Sequence, residues 1–173
     1  KAIASARWTR MMQPQKTRTG GMGDVLIRIF DWPPVWTLAA VVAVWVLGWV
    51  GFPIGFGVYG PGLAVACLII GLWLMIAAVM QMRARKTTLN PRGQPTALVT
   101  DGVFALSRNP IYLGDFFVVL AATFWWDAPL GLVLAGGFIW AVNDRFIGPE
   151  EERLADAFGE EAAHWFLKVR RWI

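Results

Sequence analysis

The segment Ser107-Arg108-Asn109-Pro110-Ile111-Tyr112-Leu113-Gly114 gathers a cation, a hydroxyl, an amide and a phenol where a basic, polar stretch meets an apolar one. Pro110 suits the first position of a helix, where its missing N–H costs nothing. Asn109 or Ser107 can cap that helix. The apolar run from Ile111 to Trp126 then enters a membrane. An arginine beside an unpaired helix N-terminus is a ready site for an anionic group. The same residues also describe an ordinary membrane-entry cap with a snorkelling arginine. Local chemistry leaves both readings standing.

Other polar residues fall near this segment or face it. Asp115 lies about one turn inside the apolar run, where a carboxylate is costly unless paired. It reads either as a functional group or as the partner of a neighbouring basic or hydroxyl group. His164 is the one histidine, a lone candidate base that reads better as an exposed interfacial residue. With one His and one Cys (Cys67), the chain has no Cys-based zinc site and no histidine-rich metal centre, so no metal is expected. Gly55-Phe56-Gly57-Val58-Tyr59-Gly60 spells a dinucleotide fingerprint, but it follows a membrane helix instead of a strand and reads as a tight turn. Met75, Met80 and Met82 read as adaptable packing.

The elements that must position these groups are helical and apolar. Of 173 residues, 57% are hydrophobic and 16% charged, too apolar for a soluble domain of this size. The expected fold is all-α: a polytopic membrane protein with four membrane helices, roughly Val35–Val50, Leu63–Met80, Ile111–Trp126 and Leu130–Ile147. The 16 Lys and Arg all fall on one side of this arrangement, and loops 51–62 and 127–129 carry none. The positive-inside rule therefore puts both termini and the central loop in the cytoplasm. The basic patches read as topology signals and lipid-headgroup contacts, with no nucleic-acid partner. The abundant Trp and Phe suit interfacial belts and helix packing. Residues 1–34 form a basic N-terminal extension, in which Val25–Phe30 can make a short surface helix. The chain starts at Lys1, so its start reads as trimmed or incomplete, and no typical signal peptide is apparent.

Residues 83–109 make a shaped cytoplasmic loop, with an Asp101-Gly102 turn ahead of Arg108. Trp125-Trp126-Asp127-Ala128-Pro129 closes a hairpin so short that helices three and four must be antiparallel neighbours. Gly131, Ala135, Gly136 and Gly137 permit close contact there. The hairpin brings Arg108, Asn109 and Tyr112 near Arg145, Glu150, Glu151 and Glu152. Facing charges of this kind suit a zwitterionic or cationic ligand. The tail from Glu150 reads as an amphipathic helix pair broken at Gly159, able to cover the site.

Three blocks carry a resemblance: Leu98–Phe104, Ser107–Gly114, and Glu150-Glu151 followed by Leu154, Phe158-Gly159 and Val169-Arg170-Arg171-Trp172. Over residues 87–173 the chain resembles the integral-membrane methyltransferases related to isoprenylcysteine carboxyl methyltransferase and the phospholipid N-methyltransferases. Asn109 stands where the isoprenylcysteine enzymes carry His, and Ala162 and Trp165 stand where tyrosines often follow Phe-Gly. The resemblance implies methyl transfer from S-adenosylmethionine to a small lipophilic or lipid-like acceptor at the cytoplasmic face, in a bacterial inner membrane. It makes residues 35–173 the methyltransferase-like domain, with membrane lipids and the acceptor as partners. It implies cofactor contacts from Gly102, Val103, Phe104, Arg108, Asn109, Pro110, Tyr112, Glu150 and Glu151, with Arg108 and Glu151 catalytic. Asn143 and Arg145 would face the acceptor. The alternative is a catalytically silent, methyltransferase-like structural subunit of a larger membrane complex, suggested by the Trp-rich first helix and the basic extension. A transporter fits poorly, since the chain shows no internal repeat.

Overall fold

Pro33 and Pro34 open the first helix, α1 (Pro33–Val50), from an extended Trp32. Their missing N–H groups fall where a helix leaves such groups unpaired anyway. The computed structural model describes residues 32–90 and 93–173. The basic extension up to residue 31, with the expected surface helix Val25–Phe30, lies outside the described residues, as do Pro91 and Arg92.

α1 ends at Gly51, whose φ of 68° favours glycine. A 3₁₀ turn at Gly57–Tyr59 then leads into α2 (Gly60–Ala84). The fingerprint-like glycines are thus a turn between helices, tied at Phe56 N–H to the Asp127 carboxylate of the other tight turn. At 25 residues α2 is about 37 Å long, enough to cross a hydrocarbon core of about 30 Å. α3 (Pro110–Trp125) and α4 (Gly131–Val142) follow. α4 runs through one wide π turn, Asn143–Ile147, straight into α5 (Gly148–Lys168). The elements of the described residues are all helical, α-helices joined by short 3₁₀ and π turns, and these residues contain no strand.

Two helical segments are long and apolar enough to cross a membrane, Pro33–Val50 and Gly57–Ala84; Pro110–Trp125 is apolar but shorter. Outward residues of α2 such as Leu68, Ile69 and Ile76 are exposed, which suits hydrocarbon and not water. The structure extends the expected second helix by a turn, because nothing from Met80 to Ala84 breaks it and Arg83 suits a helix C-terminus. In the fourth, regular α geometry ends at Val142 and the rest of the expected stretch is the π turn Asn143–Ile147. There the backbone widens, with Gly148 N–H reaching Asn143 O, and the helix continues into the tail.

α1 and α2 both pack on α3, and α4 packs on α1 and α3. The α2–α3 contact rests on two glycines: a Cβ on Gly71 would fall 2.8 Å from Gly114 O, and one on Gly114 2.7 Å from Gly71 O. Among the small residues of α4, Gly131 and Ala135 are buried but Gly136 and Gly137 face open space. One core joins α1, α3 and α4 around Val44, Val119 and Val142. A second joins α2, the central loop, α3 and the tail around Leu74, Val103, Phe104, Leu113 and Trp165. α5 breaks at Gly159 (φ 52°, ψ −121°), as the reading of a helix pair expected.

Candidate active site

The second core positions the chemistry. After α2, Thr87 Oγ1 accepts Thr96 N–H at 3.3 Å and Ala97 N–H at 3.4 Å, which folds the central loop back on itself. A 3₁₀ turn at Gly102–Ala105 follows, with Gly102 at φ 56°. Trp165 of α5 donates its indole N–H to Phe104 O at 3.3 Å and pins the tail to this turn.

The tail also clasps the segment before α3. Arg108 N–H donates to Arg170 O at 3.0 Å. Ser107 Oγ donates to Arg171 O at 3.2 Å, and Asn109 Nδ2 donates to the same oxygen at 3.1 Å. This corrects the capping expectation. Asn109 occupies the cap position, but its amide is spent on the tail and no side chain caps α3. The reason is competition: a buried carbonyl without a helical partner needs a donor, and the tail supplies two such demands at one place.

The Arg108 guanidinium lies 3.4 Å from Glu151, both side chains under 15% exposed, and 4.7 Å above the Phe166 ring. Its Nε is buried without a hydrogen-bond partner. Burial lowers the Arg108 pKa, opposed by Glu151. Arg171 grips Glu151 from the other side with Nε at 3.2 Å and a second N–H, and these hydrogen bonds raise its pKa. Glu150 faces inward separately, accepting the Tyr112 hydroxyl at 3.2 Å. Burial pushes the Glu150 carboxyl up to about 7, against the pull of Tyr112 and Arg153.

Two cavities meet at these residues. A small polar cleft lies under the central loop, lined by Thr87, Thr88, Arg108, Glu150, Glu151 and Arg153 among others. A larger apolar cavity of about 890 Å³ opens between α1 and α2 over α3, within the common range of roughly 300–1,000 Å³ for ligand sites. Met82, Asn90, Phe104, Arg108, Asn109 and Glu150 line both.

Of the residues singled out in the sequence, Phe104, Arg108, Asn109, Pro110, Tyr112, Glu150 and Glu151 line one or both cavities. Gly102 shapes its turn and Val103 is core; neither lines a cavity. Asn143 and Arg145 stand outside both: Asn143 accepts the Trp172 indole N–H at 3.2 Å, and Arg145 is exposed. Both lie in the π turn between α4 and α5. Glu152 and His164 are exposed. Sequence reasoning missed Arg153, Arg171 and Trp165 as parts of the site. Arg153 lies three residues beyond Glu150 on one helix, a spacing that puts them on one face.

The comparisons bear on this arrangement. The phospholipid methyltransferase family model matches residues 61–161. The chain belongs to this family. No curated protein and no solved structure matches it. The family match runs from α2 into α5 and takes in the central loop, α3, Glu150 and Glu151. α1, which walls the larger cavity, and the closing Val169–Trp172 lie outside it. The matched stretch thus carries most of the residues that line the polar cleft. The family and the apolar helices make the protein a membrane-associated member of a methyltransferase family.

Proposed function

We propose that this protein transfers a methyl group from S-adenosylmethionine to a lipophilic acceptor at the cytoplasmic membrane face. The observation that carries the reading is the junction of a polar cleft holding both charge signs with an apolar cavity, through shared Arg108, Asn109, Phe104 and Glu150. The donor set fits the cofactor. Arg108, with an unpartnered Nε and an uncapped helix beside it, suits an α-carboxylate. Glu150 and Glu151 suit an α-ammonium. The rings of Phe104, Trp165 and Tyr112 offer apolar and π faces to adenosine and sulfonium.

When bound, S-adenosylmethionine supplies a sulfonium methyl open to in-line attack. The residues of this chain hold and orient the reactants, and alignment alone can supply much of the rate. Glu151, engaged by two arginines, fixes Arg108 and the closing tail. Glu150, at the mouth of the acceptor cavity and near neutrality in its proton affinity, takes the proton when the acceptor is an amine. In this reading residues 35–173 are the methyltransferase domain of a bacterial inner-membrane protein. Four helices cross the bilayer, and both termini and the cleft are cytoplasmic, in contact with membrane lipids.

Calorimetric titration of the detergent-solubilised protein with S-adenosylmethionine tests this. Wild type binds saturably, and Arg108→Ala weakens binding at least tenfold. Absence of binding by folded wild-type protein would overturn the reading in favour of a silent structural subunit.

A further inference from the structure

Glu151 stands between two arginines. Arg171 donates Nε to Glu151 Oε1 at 3.2 Å and a second N–H to Oε2, the paired geometry in which a guanidinium holds a carboxylate best. Arg108 reaches the same Oε1 with one terminal nitrogen at 3.4 Å. Two cations on one carboxylate leave a surplus positive charge. Arg108 brings that charge to the cleft: it lines both cavities, its Nε is buried without a partner, and its guanidinium lies over the Phe166 ring. Arg171 lines neither cavity, and its side chain is 41% exposed. It acts on a ligand in the cleft only through Glu151.

The backbone of Arg171 is held independently of its side chain. Its carbonyl oxygen accepts from Ser107 Oγ at 3.2 Å and from Asn109 Nδ2 at 3.1 Å. On either side of it, Arg170 O accepts Arg108 N–H at 3.0 Å and Trp172 donates to Asn143 at 3.2 Å. The tail therefore stays clasped when the guanidinium alone is removed. What the guanidinium adds is its hold on Glu151. Buried charges are costly unless paired, so a Glu151 released by Arg171 turns both oxygens to Arg108 and leaves a neutral pair.

We propose that Arg171 is a positioning residue for the cofactor: by holding Glu151 it keeps Arg108 from being neutralised, and so sets the affinity of the cleft for a ligand that carries a carboxylate. The inference rests on the methyl-transfer reading, in which Arg108 meets the α-carboxylate of S-adenosylmethionine. Arg171 lies beyond the residues matched by the family model.

The structural alternative is that Arg171 merely staples the tail to α5. Decarboxylated S-adenosylmethionine separates the two roles, because it keeps the adenosine, the sulfonium and the ammonium and lacks only the carboxylate. The full chain in detergent is titrated with both compounds by calorimetry. Wild type is expected to bind S-adenosylmethionine at least tenfold more tightly than the decarboxylated compound. Arg171→Gln is expected to bind S-adenosylmethionine at least tenfold more weakly than wild type does, with its affinity for the decarboxylated compound changed less than threefold. Arg171→Lys keeps the charge on Glu151 and is expected to stay within threefold of wild type for both. Equal losses for the two compounds in Arg171→Gln, unchanged S-adenosylmethionine binding by that variant, or a loss in Arg171→Lys as large as in Arg171→Gln would overturn the proposal and leave the methyl-transfer reading standing. Folded wild-type protein that binds neither compound would overturn both.

Discussion

Glu150 and Glu151 are adjacent in sequence and opposite in circumstance. Glu151 is divided between Arg108 and Arg171, whereas Glu150 has a phenol for its partner and a buried setting. Its proton affinity, pushed up to about 7 from an ordinary 4.5, has two consequences. Methyl transfer to an amine should rise as pH climbs through about 7, where the carboxylate forms. Glu150→Gln should flatten that limb and slow turnover by roughly 10²–10⁴-fold, the usual worth of a positioned base. Stability moves the other way. The folded state holds this proton more tightly than the unfolded chain, so its contribution is full below the unfolded value of 4.5 and is lost as pH rises through about 7. Thermal unfolding of Glu150→Gln should lack that decline, and an unaltered pH slope would refute the assignment.

The pairing of α2 with α3 forms part of the wall of the apolar cavity, and it depends on backbone contact at Gly71 and Gly114. A side chain at either position meets a carbonyl oxygen, which has no rotamer by which to yield. Gly114→Val should therefore destabilise the protein by about 1–3 kcal/mol, the usual cost of overpacking, and weaken cofactor binding as the helices part. Gly136→Val, in open space on α4, should change neither. Melting temperatures of the two variants decide the matter. The small residues of α4 attracted notice because they stand together in the sequence, whereas Gly71 and Gly114 stand singly on different helices. Spacing within one helix does not reveal which glycine meets which.

In the whole molecule, the central loop and the tail close over one end of the helices, while the turns holding Phe56 and Asp127 meet at the other. The proposed topology predicts that these ends lie on opposite membrane faces. With Cys67→Ala as background, single cysteines at Thr88 and Lys168 should react only with a membrane-permeant maleimide in intact cells. One at Val58, exposed in the turn between α1 and α2, should react with an impermeant maleimide. Labelling of all three from one side would exclude the four-span arrangement.

Composition and hydropathy sufficed for the helical class and the membrane setting, because burying apolar residues in hydrocarbon requires runs that are legible one residue at a time. The motif residues Arg108, Asn109, Tyr112, Glu150 and Glu151 were also legible, since a charged or hydrogen-bonding group at the edge of an apolar run stands out. What they do to one another was not. That Asn109 serves the tail instead of capping α3, that Arg171 shares Glu151 with Arg108, and that Asn143 is taken up by Trp172 are all long-range outcomes. Each depends on which unpaired donors and acceptors are brought together when the tail packs on the central loop. Only the tertiary structure settles that competition, because its partners lie 20 to 64 residues apart in the chain.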